Sequence, residues 1–395
     1  LTGAASGKDQ GVLIYLGLSA ITTFVLALLW LRLGVPSPLA VAHLVFAVGI
    51  LPLICGAITH FVPVLTRSGS PQQSLLLAPL GLQLAGFLAL LDFIGEALPG
   101  GVSAAAIGAL LIAAFLAGWL VLRARRTLGR PHPGWRWYLA AMLLLCLALL
   151  CVPAMTWWPQ ARPALRLLHL HLNLLGCIGL TALGTLQVLL PTVLNAPDAD
   201  AAGRLRQDLP LAVGGVLMAA GGAAFSLPLA LAGAALLLHV MLKSASGWRR
   251  RHGIRLLMTD GAAAPLVGAL CGLLVLLVLG AAHGAAVLDG RDAVPAYVVA
   301  FLLPLVTGAL THLLPLWLRP GKRTPTRHRM QAALRRGGPL RALLFVSGGT
   351  LLALGISDGL WAAMLGMLSF LVALAGSLLA MRSPGQAENP PPVTK

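Results

Sequence analysis

Apolar residues run through this chain in long blocks, separated by short clusters of Gly, Pro, Ser and Arg. The blocks predict twelve helical spans near 11–33, 38–65, 75–95, 102–123, 137–155, 166–194, 209–227, 228–243, 262–284, 294–318, 340–357 and 359–381. A helix needs roughly 20 apolar residues to cross a bilayer, and these blocks are close to that length. Only Ser226-Leu227-Pro228 divides the seventh from the eighth. None alternates apolar and polar positions with a turn every ten residues, as the strands of a membrane barrel do. The expected fold is all-α and polytopic. The first block, Gly11–Leu33, is longer than a signal-peptide core and has no small-residue cleavage site after it, so it reads as a retained helix.

Composition points the same way. Of 395 residues, 58% are hydrophobic and only 10% charged, with a mean hydropathy of +0.90, whereas a soluble domain carries about 25% charged residues. A soluble enzyme is excluded. The net charge of +17 would suggest nucleic acid in a soluble protein, but its placement says otherwise. With the N-terminus cytoplasmic, every loop after an even-numbered span is cytoplasmic too. All of the 28 Lys and Arg then fall on that side except Arg32, Arg162, Arg166 and Arg291, as the positive-inside rule requires. The basicity is topology, its partner the anionic headgroups of the bilayer, and nucleic acid is not expected. The expected location is a bacterial-type inner (cytoplasmic) membrane, with both termini cytoplasmic. Five cysteines, Cys55, Cys146, Cys151, Cys177 and Cys271, all lie in apolar runs without CxxC or finger spacing, so neither a disulfide framework nor a structural zinc site is expected.

The chain contains an internal repeat. Pro52-Leu-Ile-Cys-Gly-Ala-Ile-Thr-His-Phe-Val-Pro63 aligns with Pro304-Leu-Val-Thr-Gly-Ala-Leu-Thr-His-Leu-Leu-Pro315, identical at seven of twelve positions. A weaker copy, Leu180-Thr-Ala-Leu-Gly-Thr-Leu-Gln-Val-Leu-Leu-Pro191, lies between them and keeps the Gly and the last Pro. The offsets of 128 and 124 residues place the copies on the second, sixth and tenth spans, all running outside to inside. The units are thus parallel, unlike the inverted repeats of many transporters. They divide the chain into 1–130, 131–258 and 259–381, with 382–395 a proline-rich tail expected to be disordered.

Three parallel four-helix arcs around a pseudo-threefold axis resemble the core subunit of the haem–copper oxidases, and the NnrS-like haem–copper membrane proteins related to them in form. His43-Leu-Val-Phe-Ala-Val-Gly on the second span and His169-Leu-His-Leu-Asn-Leu-Leu-Gly on the sixth strengthen the resemblance. It covers most of the membrane region but rests on architecture and few residues.

Histidines inside spans are candidate functional residues by default, because an ionisable group in a bilayer is costly. Near the outer side lie His43, His169, His171 and His283, read as candidate metal or haem ligands. His43 and His171 are repeat equivalents at one depth, and two imidazoles facing across a bundle suit the two faces of a haem b iron. His169 points about 200° away from His171, so one helix can serve two sites. A bland alternative is that these side chains reach interfacial water. The resemblance implies that His43 and His171 hold a low-spin haem and His169 a second haem or a copper, with Arg162 and Arg166 pairing to haem propionates. Near the inner side, roughly 25 Å deeper by helical rise, lie the equivalents His60 and His312. They hold a second haem, or else Thr-His-x-x-Pro closes the helix end with His satisfying loosened carbonyls. His239 suits a packed or proton-sharing role, and His132, His252 and His328 fall in arginine-rich loops with solvated roles. Asp92, Glu96 and Asp358 read as interfacial, or else as a proton exit or cation entry, and Met364 with Met367 as packing rather than copper(I) ligands.

The oxidase pattern is not complete. There is no adjacent His-His pair, no Tyr shortly after a span histidine, and the His-x-His lies on the sixth span instead of the tenth. Oxygen or nitric oxide reduction is therefore not expected. The expected function is a membrane redox protein that binds haem, or haem and copper, acting in electron transfer or in an NO, O2 or copper response with a redox partner or respiratory-complex subunits. The alternatives are a transporter of haem, copper or a small solute, and a non-catalytic respiratory subunit.

Overall fold

A computed structural model describes residues 7–34, 37–69, 71–95, 100–127, 129–290, 292–321 and 324–382. Glu96, Arg291, Lys322, Arg323 and the tail beyond Arg382 lie outside the described residues. Among those described, the secondary structure is helical and without strands. Eleven helices are long and apolar enough to cross a membrane: α1 (Gln10–Leu33), α2 (Pro38–Leu65), α3 (Ser74–Phe93), α4 (Gly101–Arg125), α5 (Gly134–Trp157), α6 (Pro159–Val193), α7 (Ala201–Phe225), α8 (Leu227–His252), α9 (Ala263–Gly284), α10 (Ala293–Leu318) and α12 (Gly359–Met381). Between the last two lies α11 (Gly338–Ala353), a shorter apolar helix of 16 residues. The protein is a polytopic membrane protein.

Several boundaries differ from expectation. Helix α7 begins at Ala201, not near 209, and α8 runs on to His252, not 243. Arg204, Asp208 and Arg251 in these extra turns are held in ion pairs, so they do not end the helices. Lys243 bridges to a buried Asp208 at 2.6 Å and Arg204 to Asp198. The division between α7 and α8 falls at Ser226, whose backbone is extended (φ −161°, ψ 105°). Glycines make that hairpin tight, since a Cβ on Gly222 or Gly233 would meet the partner backbone. Helix α11 stops at Ala353, with Gly355 left-handed beyond it. The loop before α11 is not simply solvated, because Pro325–Arg335 is a helix capped by Thr324 that buries Met330 and Leu334. Its last carbonyls, those of Leu334 and of Arg336 beyond it, accept from the fully buried Arg341 of α11.

The motif glycines carry close packing. Gly56 of α2 faces Leu16 of α1, Gly184 of α6 faces Trp137 of α5, and Gly308 of α10 faces Leu266 of α9. Each time, the helix bearing the motif presses its glycine onto the helix that precedes it. The junctions follow a pattern as well: α5 packs on α4 and α2, α9 on α8 and α6, and α1 on α12 and α10.

The same three helices each contain a π-helical stretch, over Leu44–Ile50, Leu172–Gly179 and Val298–Leu302. These begin directly after His43, His171 and Tyr297. A π turn frees backbone groups for other partners, and such turns occur often at functional sites. Val48 O accepts from Gln83 Nε2 of α3 at 3.2 Å, and Leu174 O accepts the Tyr297 hydroxyl of α10 at 2.6 Å. The Tyr297 ring also lies against Phe46 and Phe301, so this buried side chain touches all three π stretches.

Candidate functional site

The histidine end is built by the first turns of α2 and α6 and the last turn of α9. On α2, Ser37 caps the helix by accepting from Ala40 N, with Pro38 in the first turn, a sequence-encoded start. That start sets His43 one turn further in, with its Nδ1 2.8 Å from Leu39 O and its ring 4.3 Å from that of Phe93. On α6, His171 repeats the arrangement, with Nδ1 2.9 Å from Leu167 O. His169 points the other way, its Nδ1 2.8 Å from Ala148 O of α5. His283 Nδ1 lies 3.1 Å from Leu288 O.

One chemical feature joins the four. A carbonyl oxygen only accepts, so in each ring Nδ1 carries the proton and Nε2 keeps its lone pair. Histidines that ligate metals show this arrangement, because a hydrogen bond from the distal nitrogen fixes the tautomer and the ring azimuth. At His169 the Asn173 amide lies 3.4 Å from Nε2, while its shorter bond, 2.7 Å, goes to His169 O.

The structure brings His43 within electrostatic reach of His169, and His171 within reach of His283. The two neighbouring histidines of α6 thus serve different sides of the helix, as their angular separation requires. His43, His169 and His171 are half-buried and His283 is exposed. Arg162 and Arg166 lie exposed on the first turns of α6, with no ion pair among the described residues.

The inner histidines are placed otherwise. His60 sets its ring against Phe61 and Trp317, at 5.1 and 6.5 Å. His312 is 9% exposed, its Nδ1 is buried with no partner among the described residues, and its charged neighbours are the Asp260–Arg335 pair. His239 is exposed on α8. Of the loop histidines only His328 is exposed; His132 and His252 are half-buried, and His252 Nε2 has no partner among the described residues. Outside the spans, burial and the nearby Arg206 push the His132 imidazole below its ordinary value. Met367 is buried in the core and Met364 packs against it.

Tyr297 and Asn173 carry no signal in the sequence that would mark them. A lone Tyr on an apolar helix gives no hint that its hydroxyl closes a π turn on another. Among the described residues, no group of three or more His, Cys, Asp or Glu gathers to hold a bare metal ion, and the five cysteines are free. The fold and this end of it define a polytopic all-α membrane protein with tautomer-fixed histidines at one end of its bundle. No protein-family model and no curated protein matches the chain.

Proposed function

We propose that the protein is a haem-binding membrane redox protein, in which Nε2 of His43 and His169 would hold a b-type haem at the histidine end, with His171 and His283 as a second pair that would hold another. The observation that carries this reading is the common tautomer: four imidazoles at one end of the bundle with Nδ1–H bonded to a carbonyl and Nε2 left to ligate. A porphyrin brings four nitrogens of its own and asks the protein for one or two more, which is what a pair supplies. A bare copper ion asks for a fuller donor set than the described residues assemble.

When bound, haem iron supplies one-electron exchange. The chain's own part is to fix ring azimuth through the carbonyls of Leu39, Ala148, Leu167 and Leu288. Arg162 and Arg166 can pair with carboxylates at the rim. The matched glycine contacts on α2, α6 and α10 support three equivalent arcs, and hence the oxidase-like resemblance. The positive-inside rule makes the arginine-rich end cytoplasmic and the histidine end outer.

The test is a reduced-minus-oxidised visible spectrum of the detergent-purified full chain, expressed with ample haem, with iron and copper counted on the same sample. A sharp α band that shrinks, with the iron per chain, in both His43→Ala and His169→Ala but is unchanged in His312→Ala supports the reading. Loss in His43→Ala and His171→Ala with none in His169→Ala would restore the repeat-equivalent pairing. A colourless, iron-free protein would overturn the haem reading and turn attention to transport assays.

A further inference from the structure

The turns by which α7 and α8 outrun their expected spans enclose a cleft of about 520 Å³ at the arginine-rich end, lined by Asp200, Arg204, Lys243, Gly247, Arg250 and Arg251. On α8 the lining positions are i, i+4, i+7 and i+8, one face of the helix. The apolar block of α8 ends at Lys243, so this face begins where hydrocarbon gives way to headgroups.

Four cations line the cleft against one carboxylate. Two further acids sit behind the wall and are already engaged. Asp198, its side chain 3% exposed, pairs with Arg204 and Arg251, the latter at 2.7 Å, and Asp208 pairs with Lys243. Burial opposes ionisation of Asp198, but hydrogen bonds from Arg204 and the Asp200 amide, with the charges of Arg204 and Arg251, outweigh it and hold the carboxyl below the usual range. Arg204 is fixed from the other side by Gln187 Oε1 of α6, which its Nε and Nη2 reach at 3.2 and 3.1 Å. Arg250 has no carboxylate partner among the described residues. Gly247 leaves open space where a side chain would stand. The cleft therefore offers one uncommitted guanidinium, pre-positioned cations beside it and room for a group to approach the helix backbone.

We propose that this cleft binds a phosphate-bearing anion, its oxygens taken by Arg250 with Lys243 and Arg251. Guanidinium forks match phosphate oxygens, and basic pockets between membrane helices suit lipid headgroups. An anionic phospholipid and a soluble phosphate share this chemistry.

The test uses the full-length protein in a neutral detergent. One arm titrates phosphatidylglycerol or cardiolipin, against phosphatidylcholine, into mixed micelles and counts retained lipid by native mass spectrometry. The other titrates inorganic phosphate and pyrophosphate, against chloride at matched ionic strength, and follows the thermal midpoint. Saturable binding in the first arm assigns a headgroup, and in the second a soluble phosphate. Arg250→Gln, at an exposed position, is expected to weaken that binding at least fivefold. Asp200→Asn removes the competing carboxylate and is expected to tighten it several-fold. Arg336→Gln, exposed at the same end but outside the cleft, is expected to change it less than twofold. No saturable binding in either arm, or equal losses in Arg250→Gln and Arg336→Gln, would overturn the proposal.

Discussion

At the histidine end, His43, His169, His171 and His283 each donate Nδ1–H to a backbone carbonyl. At the arginine-rich end, His312 keeps a buried Nδ1 with no partner, and His60 rests its ring against aromatic neighbours. His60 and His312 are the residues most alike by sequence, each in a Thr-His-x-x-Pro, while the four outer histidines share no common motif. Local chemistry runs the other way. Backbone carbonyls one turn earlier at His43 and His171, on α5 at His169 and just past the helix end at His283 fix these four rings, whereas the ring of His60 lies among aromatics and that of His312 beside an ion pair. A shared motif identifies repeated packing; the proposed ligand role rests instead on the carbonyl opposite the ring.

The largest expected effect that could break this comparison is on bound haem. His43→Ala and His169→Ala should each abolish one axial pair and the iron it retains, while His60→Ala and His312→Ala leave iron per chain unchanged. Equal iron loss from inner and outer variants would show that the tautomer argument does not separate the two ends.

Next comes the charge network of the arginine-rich end. Asp198→Ala leaves Arg204 and Arg251 without their shared carboxylate, and breaking a buried ion pair costs about 3–5 kcal/mol. With Arg251 one-third exposed, the lower figure is expected. The pH dependence has a definite sign. The folded carboxyl sits below its unfolded value near 4, so its stabilisation is complete above that value and is lost as pH falls through the lower folded one. Thermal midpoints measured from pH 7 downward should therefore fall below about pH 4 more steeply in the wild type than in Asp198→Asn. Parallel curves would remove Asp198 from the account.

A smaller effect is expected at Tyr297. Tyr297→Phe keeps the ring against Phe46 and Phe301 but leaves Leu174 O without its donor. Buried hydrogen bonds between membrane helices contribute about 1 kcal/mol. A midpoint drop of that order, with a shifted α band wherever haem is present, would show that the hydroxyl positions the π stretch following His171. An unchanged midpoint and band would reduce it to a packing contact.

The spans were legible because each apolar block stands between Gly, Pro and Arg clusters, and even the doubtful seventh–eighth division falls at Ser226. The ends of α7 and α8 were not, since Arg204, Asp208 and Lys243 read as loop residues until their ion pairs are seen. The π stretches leave no compositional trace, for a widened turn uses the same Leu, Val and Gly as an α-helix. The histidine positions were legible by rarity in apolar blocks, whereas their tautomers depend on carbonyls such as Ala148 O, 21 residues away. The sequence also ranked the repeats differently from the backbone. Its strong pair joins α2 to α10, but the caps match between α2 and α6.

That last disagreement gives the smallest prediction. After Pro63 and Pro191 the chain closes in the same way: Arg67 and Asn195 are left-handed (φ 46° and 51°), with Ser68 N on Pro63 O and Ala196 N on Pro191 O, each at 2.9 Å. Helix α10 ends with a single bond from Arg319 N to Pro315 O instead. A left-handed conformation costs an ordinary L-residue roughly 1–2 kcal/mol, a cost that Asn largely escapes. Arg67 is exposed, so its side chain gives little in return. Arg67→Asn should raise the thermal midpoint by the equivalent of about 0.5–1 kcal/mol, and Asn195→Ala should lower it by a similar amount. Shifts of opposite sign and matched size would show that the two caps are energetically the same device. If Arg67→Asn is neutral or destabilising, the α2 cap draws on its arginine in some other way, and the likeness of the two ends stops at backbone geometry.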